Sequence, residues 1–188
     1  SHLHLPVQSG SNEILAKMKR NYSREDYIEI IKRLLKVRPN IKISSDFIVG
    51  FPNETDFDFQ QTMDLIEEIK FDASFSFIYS PRPGTPASQL EDTVQLETKK
   101  ERLYILQNRI DDLQLHYSNN LVGTIQRCLV TGVSKKDINQ LQARTECNRV
   151  VNFDFQNINI LGKLVDIDIT KAYQRSLAGK ILSPEGVS

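Results

Sequence analysis

Ser45-Asp46-Phe47-Ile48-Val49-Gly50-Phe51-Pro52-Asn53-Glu54-Thr55 is the stretch on which the fold turns. Its first part alternates: Phe47 and Val49 oppose Asp46, Ile48 and Gly50, the period of a strand with two unlike faces. Gly50, Pro52 and Asn53 break that strand. A helix is predicted directly behind them, from Glu54 to Lys70, with Phe59, Met63, Ile66 and Ile69 as its apolar stripe. Strand, turn and helix in so short a span predict a strand–helix–strand unit with parallel pairing.

The same unit recurs on both sides. Upstream, Leu3 to Gln8 reads as a strand that ends in Ser9-Gly10-Ser11, followed by a short helical piece with Ile14, Leu15 and Met18. Ser23 is the expected N-cap of a helix carrying Tyr27, Ile28, Ile31, Leu34 and Leu35 on one face. Pro39-Asn40 stops that helix, and the strand Ile41–Phe51 follows. Downstream, Phe71 to Tyr79 is a third strand that runs into the loop Ser80-Pro81-Arg82-Pro83-Gly84-Thr85-Pro86. Glu97 to Tyr117 is a third long helix.

Parallel strands covered on both faces normally read as unbroken apolar runs. These alternate instead. His4, Pro6 and Gln8 share one face of the first strand, and Lys42, Ser44, Asp46, Ile48 and Gly50 one face of the second. In the third, Asp72, Ser74, Ser76, Ile78 and Ser80 are expected on that face, with Phe75 and Phe77 turned to the helices. A small, polar face inside a helix-covered sheet predicts a barrel lumen with room for a ligand. Three such units do not close a barrel, and exposed parallel edges are hazardous. The first half therefore reads as the C-terminal half of a partial (β/α) barrel, within a longer protein.

Beyond Asn119-Asn120 the period changes. Leu121–Val133, Gln140–Thr145, Arg149–Phe155, Lys163–Tyr173 and Leu177–Leu182 read as short strands between polar turns. That spacing predicts a small antiparallel β-barrel of the OB-like kind. The fold class is α/β followed by this barrel, with domains at 1–118 and 119–188.

Composition narrows the function. The 188 residues are 39% hydrophobic and 26% charged, which excludes bulk disorder. No apolar run reaches the roughly 18–20 residues of a membrane span, and a cytoplasmic protein is expected. Lys+Arg and Asp+Glu both total 24, yet the charge is uneven. Through Tyr117 there are 15 basic and 18 acidic residues, net −3; from Ser118 onward there are 9 and 6, net +3. Such asymmetry points to nucleic-acid contact in the basic half. The two cysteines, Cys128 and Cys147, form no CxxC pair and read as reduced, buried hydrophobes. His2, His4 and His116 lack metal-ligand spacing, so no metal site is expected.

In α/β barrels the ligand groups come from the C-terminal ends of strands. Here those ends are Gln8-Ser9-Gly10-Ser11, Asp46 to Glu54 and Tyr79 to Thr85. Together they offer hydroxyls, a carboxylate, a guanidinium and glycines that permit close backbone approach. This rim suits a polar small molecule. No nucleophile–base pair, Walker loop or GxGxxG fingerprint is present, so the residues alone do not name a reaction.

The motifs His4-Leu5-Pro6-Val7-Gln8-Ser9-Gly10-Ser11, Met18-Lys19-Arg20-Asn21-Tyr22, Ser45 to Thr55, and Tyr79-Ser80-Pro81-Arg82-Pro83-Gly84-Thr85-Pro86-Ala87 resemble the radical S-adenosylmethionine methylthiotransferases. The run Gln142 to Phe153 resembles the TRAM domain of the MiaB-type tRNA enzymes. The resemblance covers nearly the whole chain. It implies a transferase that uses S-adenosylmethionine and two 4Fe-4S clusters to methylthiolate C2 of isopentenyladenosine beside the anticodon. It also implies cofactor-binding roles for Gln8, Ser9, Gly10, Arg20, Asp46, Gly50, Glu54 and Arg82. In the TRAM part it implies RNA contacts. Lys135, Lys136, Arg144 and Arg149 are the phosphate candidates, with Asn148 or Phe153 meeting an unstacked base. Phe153 as barrel core remains an equal reading.

The chain departs from the family in two places. The CxxxCxxC and the other cluster cysteines are absent, so no cluster is expected on this chain and it should be inactive alone. Its expected partners are a missing N-terminal half and a tRNA anticodon stem-loop. Asn53 stands where the family usually has glycine, and asparagine also tolerates left-handed backbone. Two alternatives stay open: a stand-alone RNA-binding module without catalysis, and a methylthiotransferase acting on a ribosomal-protein aspartate.

Overall fold

The structure is a computed structural model that describes residues 2–135, 137–154 and 158–182. It divides into two compact units, one spanning Leu3–Leu113 and the other containing the residues from Gln114 onward.

The first unit is built on a three-stranded sheet in the order β1 (His2–His4), β2 (Lys42–Val49), β3 (Ala73–Ile78), and β2 and β3 pair in parallel. Between the strands lie α1 (Asn12–Lys17), α2 (Arg24–Val37) and α3 (Asp56–Ile69), and α4 (Leu96–Asn119) follows. Both long helices before α4 start at capping boxes. Ser23 with Asp26 opens α2, and Thr55 with Asp58 opens α3, each pair satisfying backbone donors reciprocally. Val7, Ile14, Leu15, Ile31, Phe47, Leu65, Ile66, Phe71 and Leu106 are fully buried. Phe47 and Phe71 meet edge-to-face at 5.3 Å, at the centre of this core.

The first strand is shorter than predicted, because Pro6 has no N–H for the ladder. Side chains bridge the gap. The Val7 N–H donates to Ser45 Oγ at 3.0 Å, and that hydroxyl donates to the Leu5 carbonyl at 2.9 Å. Tyr27 Oη donates to the same carbonyl at 2.8 Å. Pairing resumes at Gln8, which forms a parallel bridge with Phe47.

The third strand corrects the expected facing. Its register sets Phe75 opposite Asp46 and Phe77 opposite Ile48, so both phenylalanines share the lumen face. They are 64% and 56% exposed there, whereas Ser74 and Ser76 bond to each other at 2.8 Å.

The second unit is a closed barrel with strand order β4 (Ile125–Val133), β5 (Gln140–Thr145), β6 (Val150–Asp154), β8 (Ser176–Ile181), β7 (Leu164–Tyr173). It is mixed rather than purely antiparallel. β7 pairs with β4, and the β7–β8 hairpin returns β8 to lie parallel to β6. Cys128, Val130, Leu141, Ala143, Val151, Phe153, Ile167, Ile169 and Leu177 fill the interior. Phe155, expected to end the third of these strands, lies outside the described residues.

Candidate functional site

A cavity of about 670 Å³ opens in the first unit at the C-terminal ends of its strands. Gln8, Asp46 and Ile48 come from the first two strand ends, and Phe77, Ile78, Tyr79 and Ser80 from the third. Lys17 to Arg20 border it from the end of α1, and Arg82 from the loop after β3.

Local backbone explains this placement. Gln8 takes a left-handed φ of 73° while its N–H donates to Asp46 O and its carbonyl accepts from Ile48 N–H, both at 2.9 Å. The strand therefore ends tightly against β2, beside Asp46. Asp46 lies 3.3 Å from His4 Nε2, and His4 Nδ1 is 2.9 Å from Ser44 Oγ. Phe51 and Tyr79 pack edge-to-face at 4.9 Å and, with Ile48 and Phe77, make the apolar part of the lining. The site thus combines an apolar wall with a few convergent polar groups, the usual make-up of a small-molecule pocket.

Four of the eight predicted cofactor residues, Gln8, Arg20, Asp46 and Arg82, line this cavity. Ser9, Gly10, Gly50 and Glu54 are not among its lining residues. Ser9 is fully buried, and its Oγ accepts from the Ser11 N–H at 3.1 Å. The Gly10 N–H donates to Thr62 Oγ1 on α3 at 2.9 Å. A Cβ on Gly10 would stand 2.4 Å from the Gln61 carbonyl oxygen, so only glycine lets the turn approach α3 so closely. Ser11 Oγ donates to Asp58 at 2.5 Å. Burial raises the Asp58 pKa, but the Ser11 and Thr55 hydrogen bonds outweigh it and hold the carboxyl below its ordinary value.

Gly50 has φ 68°, and its N–H donates to Glu54 Oε2 at 2.8 Å. Glu54 in turn accepts from Arg102 Nη1 of α4 at 2.8 Å, with only 4% of its surface exposed. Burial pushes the Glu54 pKa up, against the Gly50 hydrogen bond and the Arg102 charge. Asn53 adopts φ 62°, the left-handed conformation its residue type allows, and accepts from Thr93 Oγ1 at 3.0 Å.

The lining also contains residues the sequence reading missed. Phe77 was assigned to the opposite face, and only the register with Ile48 reveals its true one. Lys17 and Lys19 also line it, and the sequence reading gave neither a role.

On the barrel, Lys135 and Arg144 are exposed. Arg144 Nη1 donates to the Asn148 carbonyl at 3.0 Å and to its Oδ1 at 2.8 Å, across a turn where Asn148 has φ 67°. The structure decides the open reading of Phe153 and corrects that of Arg149. Phe153 is fully buried in the barrel core and presents no ring to a base. Arg149 is 6% exposed, with Nε donating to Ser118 Oγ at 3.0 Å and Nη1 to Cys147 Sγ at 3.2 Å. Its guanidinium ties the barrel to the end of α4 rather than facing solvent. Lys136 lies outside the described residues.

The residues present do not fit an iron–sulfur cluster. Among the described residues no group of three or more His, Cys, Asp or Glu is placed to hold a metal ion. Cys128 is buried in the barrel core, and burial, with Cys147 nearby, pushes its thiol up to about 12. A protonated, enclosed thiol is not a ligand. S-adenosylmethionine does fit the cavity: the volume suits a molecule of that size. The aromatic and aliphatic wall suits a purine, and Gln8, Arg20, Asp46 and Arg82 suit its ribose and amino-acid ends. No described helix is long and apolar enough to cross a membrane.

Comparison with known proteins agrees with this geometry. Residues 1–66 match the Radical SAM superfamily, and residues 120–182 match the TRAM domain. The chain is 55% identical over 185 residues to the tRNA-2-methylthio-N(6)-dimethylallyladenosine synthase of Legionella pneumophila strain Corby, covering 98% of this chain and 41% of that protein. It is 57% identical to the protein of that name from Histophilus somni strain 129Pt over 185 residues, 98% of this chain and 39% of the relative. With the Hahella chejuensis protein of that name the identity is 58% over 180 residues, 96% and 40%. The chain therefore spans about two-fifths of the length of the curated relatives it matches. Fold, cavity and matches together define the class: a radical S-adenosylmethionine protein that carries a TRAM domain. Within that class, the relatives it matches over nearly its whole length are proteins named tRNA-2-methylthio-N(6)-dimethylallyladenosine synthase.

Proposed function

We propose that this chain supplies part of the S-adenosylmethionine site and the RNA-facing barrel of a tRNA methylthiotransferase, with the join between the two at 118–119. The proposed net reaction replaces the C2 hydrogen of an isopentenyladenosine beside the anticodon with a methylthio group. The observation that carries this reading is the strand-end cavity, where Gln8, Arg20, Asp46 and Arg82 meet the wall of Ile48, Phe51, Phe77 and Tyr79. S-adenosylmethionine, when bound, supplies the radical and methyl chemistry of the family. The chain's own residues bind and orient. The apolar wall takes the purine and excludes water from one side. Asp46 accepts from a ribose hydroxyl or the amino group, and Arg20 or Arg82 pairs with the carboxylate.

The thiolates for both clusters come from a segment other than this one, because the two cysteines here cannot serve. Residues 188 long as they stand therefore bind without turning over. The test uses the full-length protein with reconstituted clusters, supplied with tRNA containing isopentenyladenosine and read by nucleoside mass spectrometry. The methylthio product is expected. Asp46→Asn is expected to lower its rate tenfold or more, on the scale of about 1.5–3 kcal/mol for a hydrogen bond to a charged group. Absence of product from the intact protein refutes the assignment. A second reading, an RNA-binding module without catalysis, describes this chain taken alone, since it lacks cluster ligands. The exposed Arg144–Asn148 turn favours an RNA substrate over a ribosomal-protein aspartate.

A further inference from the structure

The charge at the cavity mouth exceeds what S-adenosylmethionine requires. Lys17, Lys19, Arg20 and Arg82 line the mouth, and Asp46 is the one carboxylate among its lining residues. Asp46 already faces His4 Nε2 at 3.3 Å. Lys17 pairs with Glu13 at 2.7 Å, but across an exposed helical turn, where such pairs are easily exchanged. For Lys19, Arg20 and Arg82 there is no ion pair among the described residues. S-adenosylmethionine carries one carboxylate, one ammonium and one sulfonium, so it is itself a cation. One guanidinium satisfies its carboxylate, and the other positive groups repel it. The surplus calls for a different, polyanionic ligand.

The setting sharpens the point. The chain through Tyr117 is net acidic, at 15 basic against 18 acidic residues, yet the mouth is cationic. Its cations come from two separate elements. Lys19 and Arg20 sit on the turn that ends α1, where Lys19 takes a left-handed φ of 58° and its N–H donates to the Ala16 carbonyl at 3.0 Å. That left-handed residue closes α1, as Lys70 with φ 55° closes α3. Arg82 stands between Pro81 and Pro83, on a loop whose carbonyl at Arg82 accepts from Thr85 Oγ1 at 2.8 Å. The prolines limit the backbone freedom of that loop.

We propose that this mouth is a phosphate grip: Lys17, Lys19 and the one of Arg20 and Arg82 that does not pair with the cofactor's carboxylate hold the sugar–phosphate backbone of the RNA whose base enters the cavity. The first unit thus has its own RNA contact, separate from the barrel. The proposal rests on the tRNA reading above.

The experiment measures the affinity of the whole 188-residue chain for an unmodified tRNA transcript across a range of salt concentrations. Each lost phosphate contact lowers the slope of log affinity against log salt by about 0.7–0.9. The double variant Lys17→Gln/Lys19→Gln is expected to lower it by about 1.4–1.8, with two contacts removed. Lys17→Arg/Lys19→Arg keeps the charges and is expected to keep the slope. If it loses the slope as the glutamine variant does, charge is not the cause and the proposal falls. If the glutamine variant keeps the wild-type slope while Arg144→Gln lowers it, the grip is refuted and RNA binding by the barrel stands. If the wild-type chain does not bind tRNA, the grip and the RNA reading fall together.

Discussion

Arg102 reaches from α4 into the loop that follows β2. Its Nη1 donates to Glu54 Oε2 at 2.8 Å and to the Glu54 carbonyl at 3.0 Å, and its Nη2 donates to Asp56 at 2.7 Å. Removing one partner of a buried pair leaves a charge without compensation. Arg102→Ala is therefore expected to cost about 3–5 kcal/mol, read by denaturant unfolding. The pH dependence has a definite sign. Burial raises the folded pKa of Glu54 above its ordinary 4.5, so the folded state holds this proton more tightly than the unfolded state. The group's contribution is full below 4.5 and is lost as pH rises through the folded value. Glu54→Gln should flatten the stability curve in that window, as measured by melting at a series of pH values. Phe153→Ala is expected to cost about 3–5 kcal/mol through the cavity it leaves in the barrel, with tRNA affinity unchanged per folded molecule. Glu54, Arg149 and Phe153 each had the residue type of a ligand-binding group. Residue type does not separate a buried anchor from a ligand contact, because burial is set by what packs over the residue.

At the scale of elements, local signals served well for helices and poorly for strand facing. Ser23 caps α2 with a partner, Asp26, only three residues away, and that start was readable; the Thr55–Asp58 box that opens α3 has the same spacing, but the helix was expected to begin at Glu54. The facing of β3 was not. A strand's phase depends on its pairing, and a slip of one residue turns every side chain over. In β3 that exchange put Phe75 and Phe77 on the lumen face. The β1–β2 seam likewise depends on a residue far off in sequence. Ser45→Ala strips a partner from both the Val7 N–H and the Leu5 carbonyl, and should cost about 1–3 kcal/mol, seen as a lower melting temperature. Gly10→Ala drives a methyl into the backbone of α3 and should cost about 1–3 kcal/mol by overpacking.

The whole molecule joins a unit with a strand-end cavity to a unit built as a TRAM barrel, and holds only two cysteines. Incubating the chain with ferrous iron and sulfide under reducing conditions should leave no protein-bound 4Fe-4S absorbance; a stoichiometric cluster would contradict the thiol assignment. The cysteine count, the period-two and helical patterns, and the change of pattern near Asn119 were all present in the order of residues. They determined the succession of strands and helices, the two-part organisation and the want of cluster ligands, because each is local or compositional. Tertiary structure alone decided which strand-end residues line the cavity and which do not. It also closed the barrel through a parallel β6–β8 pair, buried Phe153 and Arg149, and gathered Lys17, Lys19, Arg20 and Arg82 at one mouth. Those outcomes depend on register and packing between residues distant in the chain, where no short-range pattern reaches.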